Sequence, residues 1–250
     1  IGGMQNVGLP DAGFLNANGT LYFYANDGIN GTELWRTNGA DSTTSMVKDI
    51  HPAGSSNPSK MTLFNNEIFF NAYEPTTGYE LWKTNGSDTS TVMVKNINPN
   101  GTNGSYPSNF IVKNNTLYFS ASDLSANNSQ LWKSDGTDTG TTLNLQGCRT
   151  IYTGIQEFTS MNNEIYVSFV DTLQQSAIWK EDTLTGNFSL FKDINIAVTD
   201  NIYQMTSYNG NLIFTATDSI FQNEIWISDG TAGGTQLLKD INQDGDSYLD

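Results

Sequence analysis

One cysteine, one histidine and eleven basic residues narrow the chemistry open to this 250-residue chain. A lone cysteine, Cys148, excludes an intrachain disulfide. A lone histidine, His51, leaves few routes to a histidine-activated nucleophile. Eleven Lys and Arg against 26 Asp and Glu give a net charge of −15, so the chain cannot build a phosphate-tracking surface. Nucleic acid and anionic membrane are therefore excluded as partners, while divalent cations remain open. No apolar run approaches the roughly 20 residues of a membrane span. The chain begins at Ile1 rather than Met, which reads as a mature form or an excerpt of a longer protein.

Charge is scarce as well, at 15% of residues, yet hydrophobic residues reach only 37%. The remaining polarity comes from Asn, Thr, Ser and Gly, which favour turns and strand flanks over helix surfaces. An all-β chain is expected. Five tryptophans, Trp35, Trp82, Trp132, Trp179 and Trp226, recur at intervals of 47, 50, 47 and 47 residues. Each follows an aliphatic residue: Leu34, Leu81, Leu131, Ile178 or Ile225. Upstream of each lies a second block, NGTLYFYAND at 18–27, NNEIFFNAYE at 65–74, NNTLYFSASD at 114–123, NNEIYVSFVD at 162–171 and NGNLIFTATD at 209–218. A third block ends at Ile50, Ile97, Cys148, Ile194 and Ile241. The chain is five copies of one repeat, spanning approximately 14–50, 61–97, 110–148, 158–194 and 205–241.

Each copy reads as four short strands. The first carries Phe14, Met61, Phe110, Phe158 or Met205. A tight turn follows, such as Asn18-Gly19, where both central residues need positive φ. The second strand holds three consecutive apolar residues, for example Leu21-Tyr22-Phe23, a run that implies burial on both faces. The Glu-Leu-Trp segment is the third strand, and a Met-Val-Lys-Asp-Ile segment the fourth. Four antiparallel strands in about 48 residues make a propeller blade. The expectation is an all-β, five-bladed β-propeller occupying 1–250 as a single domain. The recurrent Trp then packs between neighbouring blades. Ala25, Ala72, Ala121 and Ala216 share one crowded position, which Phe169 breaks in the fourth copy. The five copies suit a closed ring and, equally, an excerpt of a longer array.

GTELWRTNG at 31–39, GYELWKTNG at 78–86 and LWKSDGTDTGT at 131–141, with VKDI at 47–50 and LKDI at 238–241, resemble the ELWxxDGT repeat of bacterial secreted and surface proteins. The fourth copy, Ala177-Ile178-Trp179-Lys180-Glu181-Asp182, departs from the pattern. The resemblance implies an extracellular or cell-surface location and supplies no catalytic residues.

The acids recur with the repeat. Glu33, Glu80 and Glu224 share one slot, and Glu67 and Glu164 another. Asp27, Glu74, Asp123, Asp171 and Asp218 share a third and are the candidate ligand-binding residues. A catalytic pair of carboxylates must break repeat symmetry. Among the glutamates, only Glu157 and Glu181 stand outside the slots. Asp240, Asn242, Asp244 and Asp246 have the spacing of the first ligands of a calcium loop, so Ca²⁺ is the one candidate cofactor. Against that, Lys-Asp-Ile recurs at 48–50 and 192–194 without the acidic tail. Cys148 occupies the slot of Ile50 and Ile97 and reads as a buried thiol. The resulting expectation is a non-catalytic, multivalent binding or adhesion module for carbohydrate, with a glycan or surface protein as partner, in a larger multi-repeat chain. A structural unit of a surface stalk and a five-bladed glycoside hydrolase are the alternatives.

Overall fold

The computed structural model describes residues 13–99, 103–123, 129–144, 152–171, 176–193, 202–218 and 222–242. They form five four-stranded antiparallel sheets, each a meander in chain order. The first holds β1 (Phe14–Ala17), β2 (Thr20–Asn26), β3 (Thr32–Thr37) and β4 (Ser45–Lys48). The second holds β5 (Ser59–Phe64), β6 (Glu67–Glu74), β7 (Gly78–Thr84) and β8 (Val92–Lys95). The third holds β9 (Ser108–Lys113), β10 (Thr116–Ala121), β11 (Gln130–Ser134) and β12 (Thr142–Leu143). The fourth holds β13 (Tyr152–Met161), β14 (Glu164–Asp171), β15 (Ser176–Glu181) and β16 (Phe188–Asp193). The fifth holds β17 (Ile202–Tyr208), β18 (Asn211–Asp218), β19 (Gln222–Ser228) and β20 (Gln236–Lys239). One sheet per repeat is the blade pattern expected from the sequence.

The Asn pairs set the first hairpin of every sheet. Both central residues have positive φ in all five: 53° and 82° at Asn18-Gly19, 50° and 62° at Asn65-Asn66, 48° and 57° at Asn114-Asn115, 50° and 64° at Asn162-Asn163, and 50° and 77° at Asn209-Gly210. Two left-handed residues match the right-handed twist of the flanking strands, and Asn tolerates that conformation best after Gly. A second left-handed residue recurs inside the first strand, at Lys60, Asn109 and Gln204. The strand ladders shift register at the same places. These are β-bulges, which bend and twist the strand locally.

The chain divides into two compact units, residues 1–125 with 132–143, and residues 126–131 with 144–250. In the first unit, alternation along β6 explains its apolar run. Ile68, Phe70 and Ala72 point one way and pack with Leu15, Tyr22, Leu34, Val47 and Ile50 of the first sheet. Phe69 points the other way and packs, with Leu81, Val94 and Ile97, against Leu117, Phe119, Ala121 and Trp132 of the third. A strand covered on both faces has no side left for polar residues, hence three apolar residues in a row. In the second unit, Leu212, Phe214, Ala216 and Trp226 pack on Met161, Tyr166 and Ile178 in the same manner.

Trp82 therefore lies against the first sheet, Trp132 against the second and Trp226 against the fourth. The shared alanines Ala72, Ala121 and Ala216 are fully buried in these layers. Trp35 is half-buried and donates its indole N–H to the Ala25 carbonyl at 3.1 Å. Trp179 is half-buried beside Phe169, the rings edge to face at 6.3 Å between centroids. In the last sheet Leu238 and Ile241 are 47% and 54% exposed, whereas Val47, Ile50, Val94 and Ile97 at the matching positions are buried.

Candidate functional site

The repeat motif explains itself as structure. Glu33 and Glu80 are fully buried, and each carboxylate gathers its donors from the connection between its own sheet and the next. Glu33 accepts the backbone N–H of Ile50 at 3.3 Å, the N–H of Ser56 at 2.9 Å and the Ser56 hydroxyl. Glu80 accepts the N–H groups of Ile97 at 3.0 Å and Asn98 at 3.1 Å, and the Ser105 hydroxyl. Glu224, also buried, accepts the Ile241 N–H at 3.1 Å. Each glutamate takes over where the fourth strand leaves the ladder, and Glu33 and Glu80 also hold the loop leading to the next sheet. Burial pushes the carboxyls of Glu33 and Glu80 up, outweighing the Ser hydroxyls and backbone N–H groups that favour the ionised form. The fourth sheet has Ala177 in this slot, and there the ladder runs on to pair Ala177 with Asp193.

The DGT portion closes the third hairpin. Asp135 accepts the N–H and hydroxyl of Thr137 at 2.8 and 2.7 Å, and Asp229 does the same for Thr231. Hydroxyl pairs seven residues apart clasp the strand ends: Thr37–Thr44, Thr84–Thr91, Ser134–Thr141 and Ser228–Thr235, all at 2.7–2.8 Å. Glu67 and Glu164 pair across their sheets with Lys83 at 3.0 Å and Lys180 at 2.8 Å.

The candidate ligand-binding acids fall at the hairpin between second and third strands. Asp27 accepts the N–H of Asn30 at 2.7 Å and of Ile29 at 2.9 Å, and these bonds hold its carboxyl below the ordinary range. At Glu74 partial burial acts to raise the carboxyl, but the hydroxyl and N–H of Thr76 and the hydroxyl of Thr77 outweigh it and leave it lowered. Asp123 lies just past β10, while Asp171 and Asp218 end β14 and β18. Asp27 and Glu74 thus act on their own turns. Of the calcium-loop residues, Asp240 and Asn242 follow β20, and Asp244 and Asp246 lie outside the described residues, as does Cys148. Among the described residues no group of three or more His, Cys, Asp and Glu could hold a metal ion. Glu157 is half-buried on β13 and burial raises its carboxyl; Glu181 is buried at the end of β15.

One cluster breaks the repeat. In the first unit His51, Tyr73, Tyr79 and Tyr106 form a run of rings, with centroids 5.3 Å apart from His51 to Tyr73, 5.3 Å from Tyr73 to Tyr79 and 4.9 Å from Tyr79 to Tyr106. Tyr73 is the last residue but one of β6 and Tyr79 the second of β7, and the two are paired across the hairpin. His51 and Tyr106 sit on the loops before and after that sheet. The His51 ring lies against Gly54, where an added Cβ would come within 2.6 Å, and its Nδ1 is 3.1 Å from the Ser55 carbonyl. Tyr106 is 52% exposed and has φ +52°, with its N–H on the Tyr79 carbonyl at 3.1 Å. The matching left-handed residue after the first sheet is Asn57, whose N–H bonds Thr32. This cluster is readable only by comparing copies. Where the second repeat has Tyr73, the others have Asn26, Ser122, Val170 and Thr217; where it has Tyr79, they have Thr32, Ser129, Ser176 and Asn223.

No protein-family model and no curated protein matches the sequence. Solved structures do match the fold. A puromycin hydrolase matches with a TM-score of 0.59 and 14% identity, over 91% of this chain and 37% of its own. A prolyl endopeptidase, solved in a comparison of two such enzymes and the role of inter-domain dynamics in their catalysis and specificity, gives a TM-score of 0.57, 9% identity, 87% of this chain and 32% of its own. Oligopeptidase B from Leishmania major gives 0.57, 10%, 90% and 33%. The chain spans about a third of the length of these proteins, and the portions it matches are β-propeller domains, which are not themselves catalytic. The fold is thus that of a β-propeller built from five four-stranded blades. The carbohydrate-binding adhesion module expected from the repeat, with its stalk and glycoside hydrolase alternatives, is corrected by this finding: the matching propellers serve peptidases. Among the recurrent acids, Asp27, Glu74, Glu33 and Glu80 bond their own turns and strand ends.

Proposed function

We propose that residues 1–250 are the non-catalytic propeller of a peptide-hydrolysing protein, and that they govern which peptides reach catalytic groups carried outside this segment. The observation that carries this reading is the match of about nine-tenths of the chain to about a third of several peptidases. The chemistry of the segment is in keeping with it. The acids of the repeat are engaged in holding turns and strand ends, and the one histidine rests on Gly54 and the Ser55 carbonyl. We place the protein outside the cytoplasm, on the resemblance of its repeat to that of secreted and surface proteins. The test is to treat the polypeptide that carries these residues with a covalent probe for serine hydrolases and map the label. The reading expects peptide hydrolysis that the probe abolishes and a label outside residues 1–250. A label within residues 1–250, or no hydrolysis of any peptide, overturns it.

A further inference from the structure

Tyr73, Tyr79 and Tyr106 make a surface that the structural role of the repeat does not account for. The rings come from one hairpin and a separate loop, and the equivalent positions of the other copies hold small, polar or aliphatic residues. Tyr106 is more than half exposed, yet its backbone is in the left-handed region and it precedes Pro107. Bulky residues are genuine outliers there, and such strain concentrates where a side chain must be held in place for function. The loop is held down on β7: the Ser105 and Tyr106 N–H groups both bond the Tyr79 carbonyl, at 2.7 and 3.1 Å, and the Tyr79 N–H bonds Asn103 at 3.2 Å. Gly104 makes this approach possible, since a Cβ there would lie 2.2 Å from the Tyr79 nitrogen. The Tyr106 ring is therefore pre-positioned over Tyr79, which lowers the ordering cost of binding.

We propose that this tyrosine array holds an extended, proline-containing segment of a peptide that also carries basic residues. The assignment rests on the peptidase reading given above. Consecutive centroid spacings of 5.3 and 4.9 Å limit the array to about 10 Å, close to the roughly 9 Å turn of a polyproline II helix. Aromatic-lined surfaces are the usual receptors for that helix, whose backbone is already ordered. The preference for basic residues follows from charge. The chain as a whole carries −15, which attracts a basic side chain beside the proline.

The experiment titrates the purified 250-residue chain with a fluorescent proline–lysine oligopeptide, with a glycine–lysine oligopeptide of equal length and an oligosaccharide as controls. Saturable binding of the proline peptide is expected, stronger than that of the glycine peptide. Tyr106→Asn, which places the residue of the first repeat here and relieves the backbone, weakens it about tenfold without lowering the unfolding midpoint, and Tyr106→Phe leaves it unchanged. Tyr79→Thr, the residue of the first repeat at that position, gives an independent loss. Equal binding of both peptides, insensitivity to Tyr106→Asn, or preference for the oligosaccharide overturns the proposal. Failure to bind while the carrying polypeptide still hydrolyses peptides removes this site alone. Binding retained without hydrolysis upholds the site and removes the peptidase reading.

Discussion

At the scale of single residues, the buried glutamates and the turn glycines carry the most specific chemistry. Glu80 collects two backbone N–H groups and a hydroxyl, so Glu80→Ala leaves three donors unpaired inside the protein and costs about 2–4 kcal/mol in urea unfolding. Glu80→Gln keeps an acceptor and removes the titration. Burial raises the folded-state value of Glu80 above the ordinary 4.5, so the folded protein holds this proton to higher pH than the unfolded chain does. Its contribution is fully present below the unfolded value and declines as pH rises through the folded one. Between about pH 4 and pH 7 the unfolding free energy of the wild type should therefore fall relative to Glu80→Gln; a difference independent of pH would contradict the assignment. Gly39 and Gly86 offer a matched pair. Both have φ +100°, but a Cβ on Gly39 meets nothing within 4 Å, whereas on Gly86 it would lie 2.3 Å from the Tyr22 hydroxyl. Ala at either site carries a conformational cost of about 1–2 kcal/mol, and Gly86→Ala adds about 1–3 kcal/mol of overlap with the neighbouring sheet. Equal midpoints for the two variants would show that the approach of Gly86 to Tyr22 is unimportant.

At the scale of elements, much of the architecture was legible. The Asn pairs marked the five tight hairpins, and all five have two left-handed residues. The continuous apolar run in the second strand marked burial on both faces, as Phe69 and Phe70 show. Less legible were the bulges at Lys60, Asn109 and Gln204, because those residue types carry no common turn signal. The role of Glu33 and Glu80 was hidden because their partners lie about half a repeat away, in loops that looked featureless. The tyrosine array was hidden for the opposite reason: the repeat drew attention to what recurs, while Tyr73, Tyr79 and Tyr106 are where copies differ. Sheet-to-sheet ion pairs recur in the first unit, Lys48 with Asp88 and Lys95 with Asp138, both at 3.0 Å. The aspartates are largely exposed, so Asp88→Ala should cost no more than about 1 kcal/mol and the difference should vanish in high salt. A larger loss that persists in salt would mean that the pair organises the loop.

At the scale of the whole molecule, repetition and function are separate. Recurrent residues build the blades: tryptophans pack sheet on sheet, glutamates tie strand ends, and hydroxyl pairs close hairpins. Reading recurrent acids as ligand sites was the step that led to a carbohydrate-binding module, and the peptidase propellers among the matching structures correct it. On the function proposed above, catalysis lies outside this segment and selection of peptide within it. The most direct measurement compares hydrolysis of a panel of peptides by the purified 250-residue chain and by the polypeptide that carries it. The account predicts product from the carrying polypeptide and none above the buffer blank from the chain alone. Turnover by the chain alone, or none by either, would contradict it.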